Sequence, residues 1–143
     1  MQVGECMSLQ PVTVSEQTSM REAVELMRRH QIRHLPVVQG KRLLGIVTDR
    51  DIRRASPSLL SGISKEEYEE VLDSTPVSRI MTREPFTVTP ETDLAEAVRI
   101  LLEKKVGGVP VVNGQELVGI LTESDALRVL LEKLREIPRP TPK

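Results

Sequence analysis

Two short segments set a hydroxyl and a carboxylate at one fixed spacing: Thr48-Asp49-Arg50-Asp51 and Thr122-Glu123-Ser124-Asp125. Each follows an apolar run, Gly45-Ile46-Val47 or Gly119-Ile120-Leu121, so each falls where a strand ends and a helix begins. Two chemistries fit this arrangement. Thr and Asp three residues apart make a capping box, which satisfies free N–H groups of a first helical turn. The same carboxylate can accept hydrogen bonds from a ribose diol, while unpaired N–H groups at that helix end favour a phosphate. The spacing leaves both readings open.

Other chemistries lack their residues. Cys6 has no His beside it, and its expected role is a buried structural thiol. His30 and His34 are four apart but lack the Glu of a His-Glu-x-x-His zinc site, and no P-loop occurs. We therefore expect no catalytic residues, no enzyme activity and no metal site.

The elements that must hold these segments occur twice. Shifting the sequence by 74 residues aligns, without gaps, Val14 with Val88, Pro36 with Pro110, Gly45 with Gly119 and Asp51 with Asp125. Two copies predict a closed pseudo-twofold pair rather than a solenoid, which needs three or more. In each copy a short extended stretch ends at Thr13-Val14 or Thr87-Val88. Ser19 with Glu22, or Asp93 with Glu96, then caps a helix. The buried stripes of the two helices are expected to be Met20, Ala23, Val24 and Met27, and Leu94, Ala97, Val98 and Leu101.

Leu35-Pro36-Val37-Val38 and Val109-Pro110-Val111-Val112 each lead through a glycine turn, at Gly40 or Gly114, into a second apolar run, which predicts a hairpin. Each proline should sit at its strand's start or on an edge, since it has no N–H to donate. A second helix opens at Thr48 or Thr122. The expected fold is α/β (α+β): two β-α-β-β-α repeats with a mixed sheet covered by helices. We divide the chain into repeat one (1–55), a connector with a short capped helix at Ser64 (56–77), repeat two (78–136) and an extended or mobile tail (137–143), where Pro138, Pro140 and Pro142 exclude helix.

Composition narrows the partners. Of 143 residues 20 are basic and 21 acidic, a net charge of -1 that gives no field for nucleic acid. One Phe, one Tyr and no Trp leave no base-stacking platform for RNA or single-stranded DNA. No run approaches the ~18 apolar residues of a membrane span, and no basic patch followed by an apolar stretch opens the sequence. With a single cysteine, the expected setting is the cytoplasm.

The doubled pattern of apolar-Pro-Val-Val, glycine turn and Gly-apolar-apolar-Thr-x-x-Asp resembles the CBS domain family, whose tandem pairs are called Bateman modules, over nearly the whole chain. The resemblance implies a regulatory ligand, an adenosine nucleotide such as AMP, ADP or ATP, held with its ribose on the Thr and Asp of the motif. Carried over, Thr48 and Asp51 would serve one cleft and Thr122 and Asp125 the other, with Thr13, Val14, Thr87 and Val88 beside the base and Pro36 and Pro110 on the adjoining strands. A closer likeness, through Ile32-Arg33-His34-Leu35-Pro36-Val37-Val38, Asp49-Arg50-Asp51 and Val106-Gly107-Gly108-Val109-Pro110, is to accessory proteins named for acetoin utilisation. Members of that group often continue into a further regulatory domain, for which this chain leaves no room; a function resting on one is not expected.

The copies diverge where a phosphate would lie. Arg33 and His34 in the first correspond to Gly107 and Gly108 in the second, and Arg50 to Ser124. Basic groups would come from one side, with close backbone approach on the other, which favours an anionic nucleotide. Against this stand plainer roles: Arg33 as a surface charge, His34 as a packing residue, His30 as a charge at a helix C-terminus, Arg53 and Arg54 as a solvated pair, and Met7, Met20, Met27 and Met81 as core fillers. The family resemblance also implies a homodimer, to which Leu127, Leu130, Leu131 and Leu134 would contribute, and an effector protein. The competing reading is a ligand-free module that only dimerises or docks.

Overall fold

The computed structural model describes residues 1–142, so Lys143, the last residue of the expected tail, lies outside the described residues. The first half contributes β1 (Ser8–Leu9), α1 (Met20–His30), β2 (His34–Gln39), β3 (Arg42–Thr48) and α2 (Asp49–Ala55). Helix α3 (Lys65–Ser74) lies in the connector, and the second half contributes β4 (Thr82–Arg83), α4 (Leu94–Lys104), β5 (Gly108–Asn113), β6 (Glu116–Thr122) and α5 (Glu123–Glu136). Residues 138–142 form no helix or strand.

Local chemistry sets most of these boundaries. Ser19 Oγ accepts from the Glu22 N–H at 3.1 Å and Ser64 Oγ from the Glu67 N–H at 3.1 Å, capping α1 and α3. Asp93 departs from expectation: its side chain caps nothing, because the Glu96 N–H donates instead to the Asp93 main-chain carbonyl at 3.0 Å. Gly40 and Gly114 turn the two hairpins with φ of 61° and 63°, the left-handed region that favours glycine. Helix α1 buries Met20, Ala23 and Met27 with Leu26 on its flank; this face is centred on Ala23, and Val24 turns outward rather than joining the stripe. On α4, Leu94, Ala97 and Leu101 are buried.

The two hairpins, β2–β3 and β5–β6, meet through a single pair, Arg42 opposite Glu116, flanked by Leu43 N–H to Gln115 carbonyl at 3.0 Å and Leu117 N–H to Lys41 carbonyl at 2.9 Å. These bonds exchange under the 74-residue shift, which is the pseudo-twofold axis seen in hydrogen bonds. The strand pairs are antiparallel. The parallel part of the sheet, and the leading strand of each repeat, shrink to bridges between Val14 and Val37 and between Val88 and Val111. Pro36 and Pro110 sit inside their strands rather than at the start, and both strands are edge strands with one ladder partner each, as one of the two expected placements requires. Their carbonyls accept from Val14 and Val88 on the side away from the hairpin partner, so the missing N–H breaks no hairpin bond.

The cores are built by exchange. Val3 packs with Val88, Leu94 and Leu121 of the second half, whereas Val77 packs with Val14, Met20 and Leu35 of the first. Residues 1–9 lie on the second half: Val3 N–H donates to the Thr92 carbonyl at 2.8 Å, and β1 pairs with β6. Residues 77–83 repay the exchange, with Val77 N–H to the Thr18 carbonyl at 2.8 Å and β4 on β3. Glycine is required where each crossing strand passes: a Cβ on Gly45 would meet the Thr82 carbonyl oxygen at 2.5 Å, and one on Gly119 the Ser8 carbonyl oxygen at 2.9 Å. The neighbouring contacts there are the sulfurs of Met81 and Met7.

Candidate functional site

A cleft of about 450 Å³, within the range of small-molecule sites, opens between the halves. One wall belongs to the first half: Arg33 and His34 at the start of β2, Ile46 and Thr48 on β3, and Asp49, Arg50, Asp51, Arg53 and Arg54 on α2. The facing wall is Thr82 of the exchanged segment and Glu84, Pro85 and Phe86 just after it, together with Lys105 to Val109, which runs from the end of α4 into β5, and Glu123. The exchange of segments is therefore what brings second-half residues over the first-half motif.

At the floor, Thr48 and Asp51 form the capping box of α2. Asp51 Oδ2 accepts from the Thr48 N–H at 2.9 Å and from Thr48 Oγ1 at 3.0 Å, and Thr48 Oγ1 accepts from the Asp51 N–H at 3.2 Å. The box occupies one carboxylate oxygen. The other, Oδ1, has no hydrogen-bond partner among the described residues, and the residue faces the cleft. Capping and ligand contact are thus compatible in the same side chain.

Around this floor the chemistry divides. Ile46, Val109, Pro85 and the ring of Phe86 supply apolar surface; Phe86 is half exposed, with Lys104 Nζ 5.3 Å from its centroid. Among the described residues Arg33, Arg50, Arg54 and Lys105 make no ion pair, while Arg53 is held by Asp49 at 3.3 Å. His34 lies between the halves, and burial pushes its pKa below the ordinary histidine value against the opposing pull of Asp49 and Glu123. Its imidazole rests on the Gly107-Gly108 backbone, where a Cβ on Gly107 would come within 2.8 Å of Nε2. The close approach expected at the glycine pair is made by this ring.

Six of the expected site residues meet here: Arg33, His34, Thr48, Arg50, Asp51 and Gly108. The others do not. Val14 and Val88 are core residues, turned inward by their bridges to Val37 and Val111, and Pro36 and Pro110 are fully buried. Thr13 and Thr87 are exposed and do not line this cleft. Thr122 and Asp125 form the same box at 2.9 and 3.1 Å, but Asp125 is only 2% exposed, and its Oδ1 accepts from Ser8 Oγ at 3.0 Å and Arg128 at 2.8 Å. Arg53 and Arg54, expected on a solvated face, are exposed at the rim of the cleft. Thr82, Glu84, Pro85 and Phe86 were missed; they lie inside the expected repeat two, and no local pattern marks them as a wall over the other half's motif.

With the geometry in place, the chain can be compared with known proteins. The CBS domain profile matches residues 3–58 and 77–132. The chain belongs to the CBS domain family. A CBS domain-containing protein of Dictyostelium discoideum is 33% identical over 138 residues, covering 95% of each chain. Among solved structures, a candidate acetoin utilization protein (AcuB) from Vibrio cholerae superposes with a TM-score of 0.75 at 32% identity, covering 98% of both chains. CBSX2 of Arabidopsis thaliana in complex with AMP superposes with a TM-score of 0.77 at 31% identity, covering 94% of this chain and 98% of that one. This chain is thus a tandem CBS pair, similar to AcuB in its whole length.

A second depression, about 470 Å³, runs along α3 between Lys65 and Ser74. It is lined by one helix only and brings no opposed groups together, so it is not comparable as a site. Cys6 is half-buried and donates to the Val3 carbonyl at 3.6 Å, and burial raises its pKa; the thiol stays protonated near neutrality. No helix among the described residues is long and apolar enough to cross a membrane.

Proposed function

We propose that this CBS pair is a regulatory module that binds an adenosine nucleotide, such as AMP, ADP or ATP, in the cleft over Thr48 and Asp51. The observation that carries the reading is the Oδ1 of Asp51, without a hydrogen-bond partner among the described residues, in a cleft lined by apolar side chains and by more arginine and lysine than carboxylate. A ribose diol would donate to that oxygen, the base would lie against Ile46, Val109 and Phe86, and the phosphate would meet the unpaired cations among Arg33, Arg50, Arg54 and Lys105. Helix α2, only seven residues long, is secondary to these side chains as a phosphate contact. The AMP complex of CBSX2 supports the ligand class.

Binding transmits a signal only if two conformations differ in affinity. The receiver we infer is a second copy of this chain or a separate effector. Leu127, Leu130, Leu131, Leu134 and Ile137 form an exposed stripe on α5 and just beyond it, at 47–61% exposure. Homodimerisation through this stripe is part of the proposal, and the same stripe favours the second reading, a module that assembles without ligand.

Thermal unfolding with AMP, ADP, ATP, NAD, S-adenosylmethionine and cyclic di-AMP tests the choice. A ligand at ~100 times its Kd stabilises by about 2.7 kcal/mol, or roughly 8 °C in a chain of this size. Asp51→Ala should remove the shift. No shift with any of the six, in a protein whose Leu130→Glu variant loses dimerisation by light scattering, would leave the assembly module standing.

A further inference from the structure

Each half carries a hydroxyl and an arginine at matching places around its Thr-x-x-Asp box, and the two halves use them differently. At the 74-residue offset Thr82 is the counterpart of Ser8, and Arg54 of Arg128. Ser8 and Arg128 both close on Asp125, but among the described residues neither Thr82 nor Arg54 bonds to Asp51. The Asp125 carboxylate thereby accepts from four donors: Thr122 N–H, Thr122 Oγ1, Ser8 Oγ and the Arg128 guanidinium. The outer oxygen that would face a ribose is taken by a hydroxyl and a cation, the kinds of donor a ligand and its surroundings would supply.

Ser8 belongs to β1, the strand that crosses from the first half and pairs with β6, Ser8 opposite Ile120. Its bond to Asp125 joins that strand to the first turn of α5. At a buried carboxylate the loss of one donor leaves an oxygen short of a charge-assisted hydrogen bond that water does not readily replace. We propose that Asp125 is the internal lock of the N-terminal crossover rather than a ligand contact, and that each chain takes one adenosine ligand, at Asp51. The second clause rests on the proposed function; the first does not.

The experiment has two arms on the full chain. In the first, melting temperature compares counterparts: Ser8→Ala and Arg128→Gln should each lower it by roughly 3 °C or more, while Thr82→Ala and Arg54→Gln stay within about 1 °C. Equal losses in the two sets overturn the lock. In the second, calorimetric titration with AMP should give one site per chain in the wild type, unchanged in affinity within about twofold in Ser8→Ala and lost in Asp51→Asn. Two equivalent sites, or loss of binding in Ser8→Ala with binding retained in Asp51→Asn, overturn the single-site assignment. If none of AMP, ADP, ATP, NAD, S-adenosylmethionine and cyclic di-AMP binds the wild type, the ligand reading falls, and the first arm still decides the lock.

Discussion

Both Thr-x-x-Asp boxes cap a helix with nearly the same distances, 2.9 and 3.0 Å in the first half against 2.9 and 3.1 Å in the second. Around the first, the free carboxylate oxygen looks onto a cleft with unpaired cations. Around the second, Ser8 and Arg128 fill the place, and the carboxylate disappears from the surface. Two copies of a motif can thus keep one role, the cap, while the second carboxylate oxygen is placed differently: facing the cleft in one half, in an internal bond in the other. What a motif does is decided by what covers it, and here the cover comes from the opposite repeat.

The largest expected effects test the crossings that make this difference. Gly45→Ala should destabilise by about 3 kcal/mol, since its Cβ meets a main-chain oxygen that cannot step aside. Gly119→Ala, whose Cβ meets the equivalent oxygen 0.4 Å farther away, by the difference of 2.9 and 2.5 Å, should lose less. Chemical denaturation of the pair measures both, and equal losses would mean that the two crossings are equally tight. The glycine pair across the cleft comes next: Gly107→Ala pushes on the His34 ring, which can rotate, so about 1 kcal/mol is expected, together with weakened nucleotide binding by calorimetry.

Capping offers a cleaner contrast. Ser19→Ala removes a hydrogen-bonded cap and should lose about 1 kcal/mol; Asp93→Ala removes no cap bond and should lose under about 0.5 kcal/mol. Comparable losses in urea denaturation would show that Asp93 caps in solution. The smallest effect concerns pH. Because burial lowers the pKa of His34 in the folded chain, the unfolded chain binds the extra proton first as pH falls, so the contribution is fully present above about 6.5 and fades below it. His34→Gln should flatten the slope of melting temperature between pH 7.5 and 5.5, measured at about constant ionic strength; an unchanged slope would place the titration elsewhere.

Much of this architecture was legible because it is local. Ser19 and Ser64 announce their helices, Gly40 and Gly114 their turns, and Thr48 and Thr122 the strand-to-helix corners, each through a few adjacent residues. The buried stripes were legible to within one residue: periodicity marks a face, but it does not weigh Leu26 against Val24 at its margins. What stayed hidden is whom each face meets. Val3 and Val77 read as apolar residues near the ends of their repeats, and no local pattern states that each enters the other half's core. Residues 82–86 were invisible as a cleft wall for the same reason, since they line a space between elements and carry no periodicity. The exclusion of Val14 and Val88 from the cleft likewise depends on bridges to strands more than 20 residues away.

The exchange of N-terminal segments also orders the events of synthesis. Ser8 leaves the ribosome 117 residues before Asp125, an interval of about 6–23 s at common elongation rates. During that interval the docking strand for residues 1–9 does not yet exist, and Val3 must remain without its core. The segment made earliest is therefore docked last, and a chaperone that recognises exposed apolar chain would meet this protein first at its N-terminal segment.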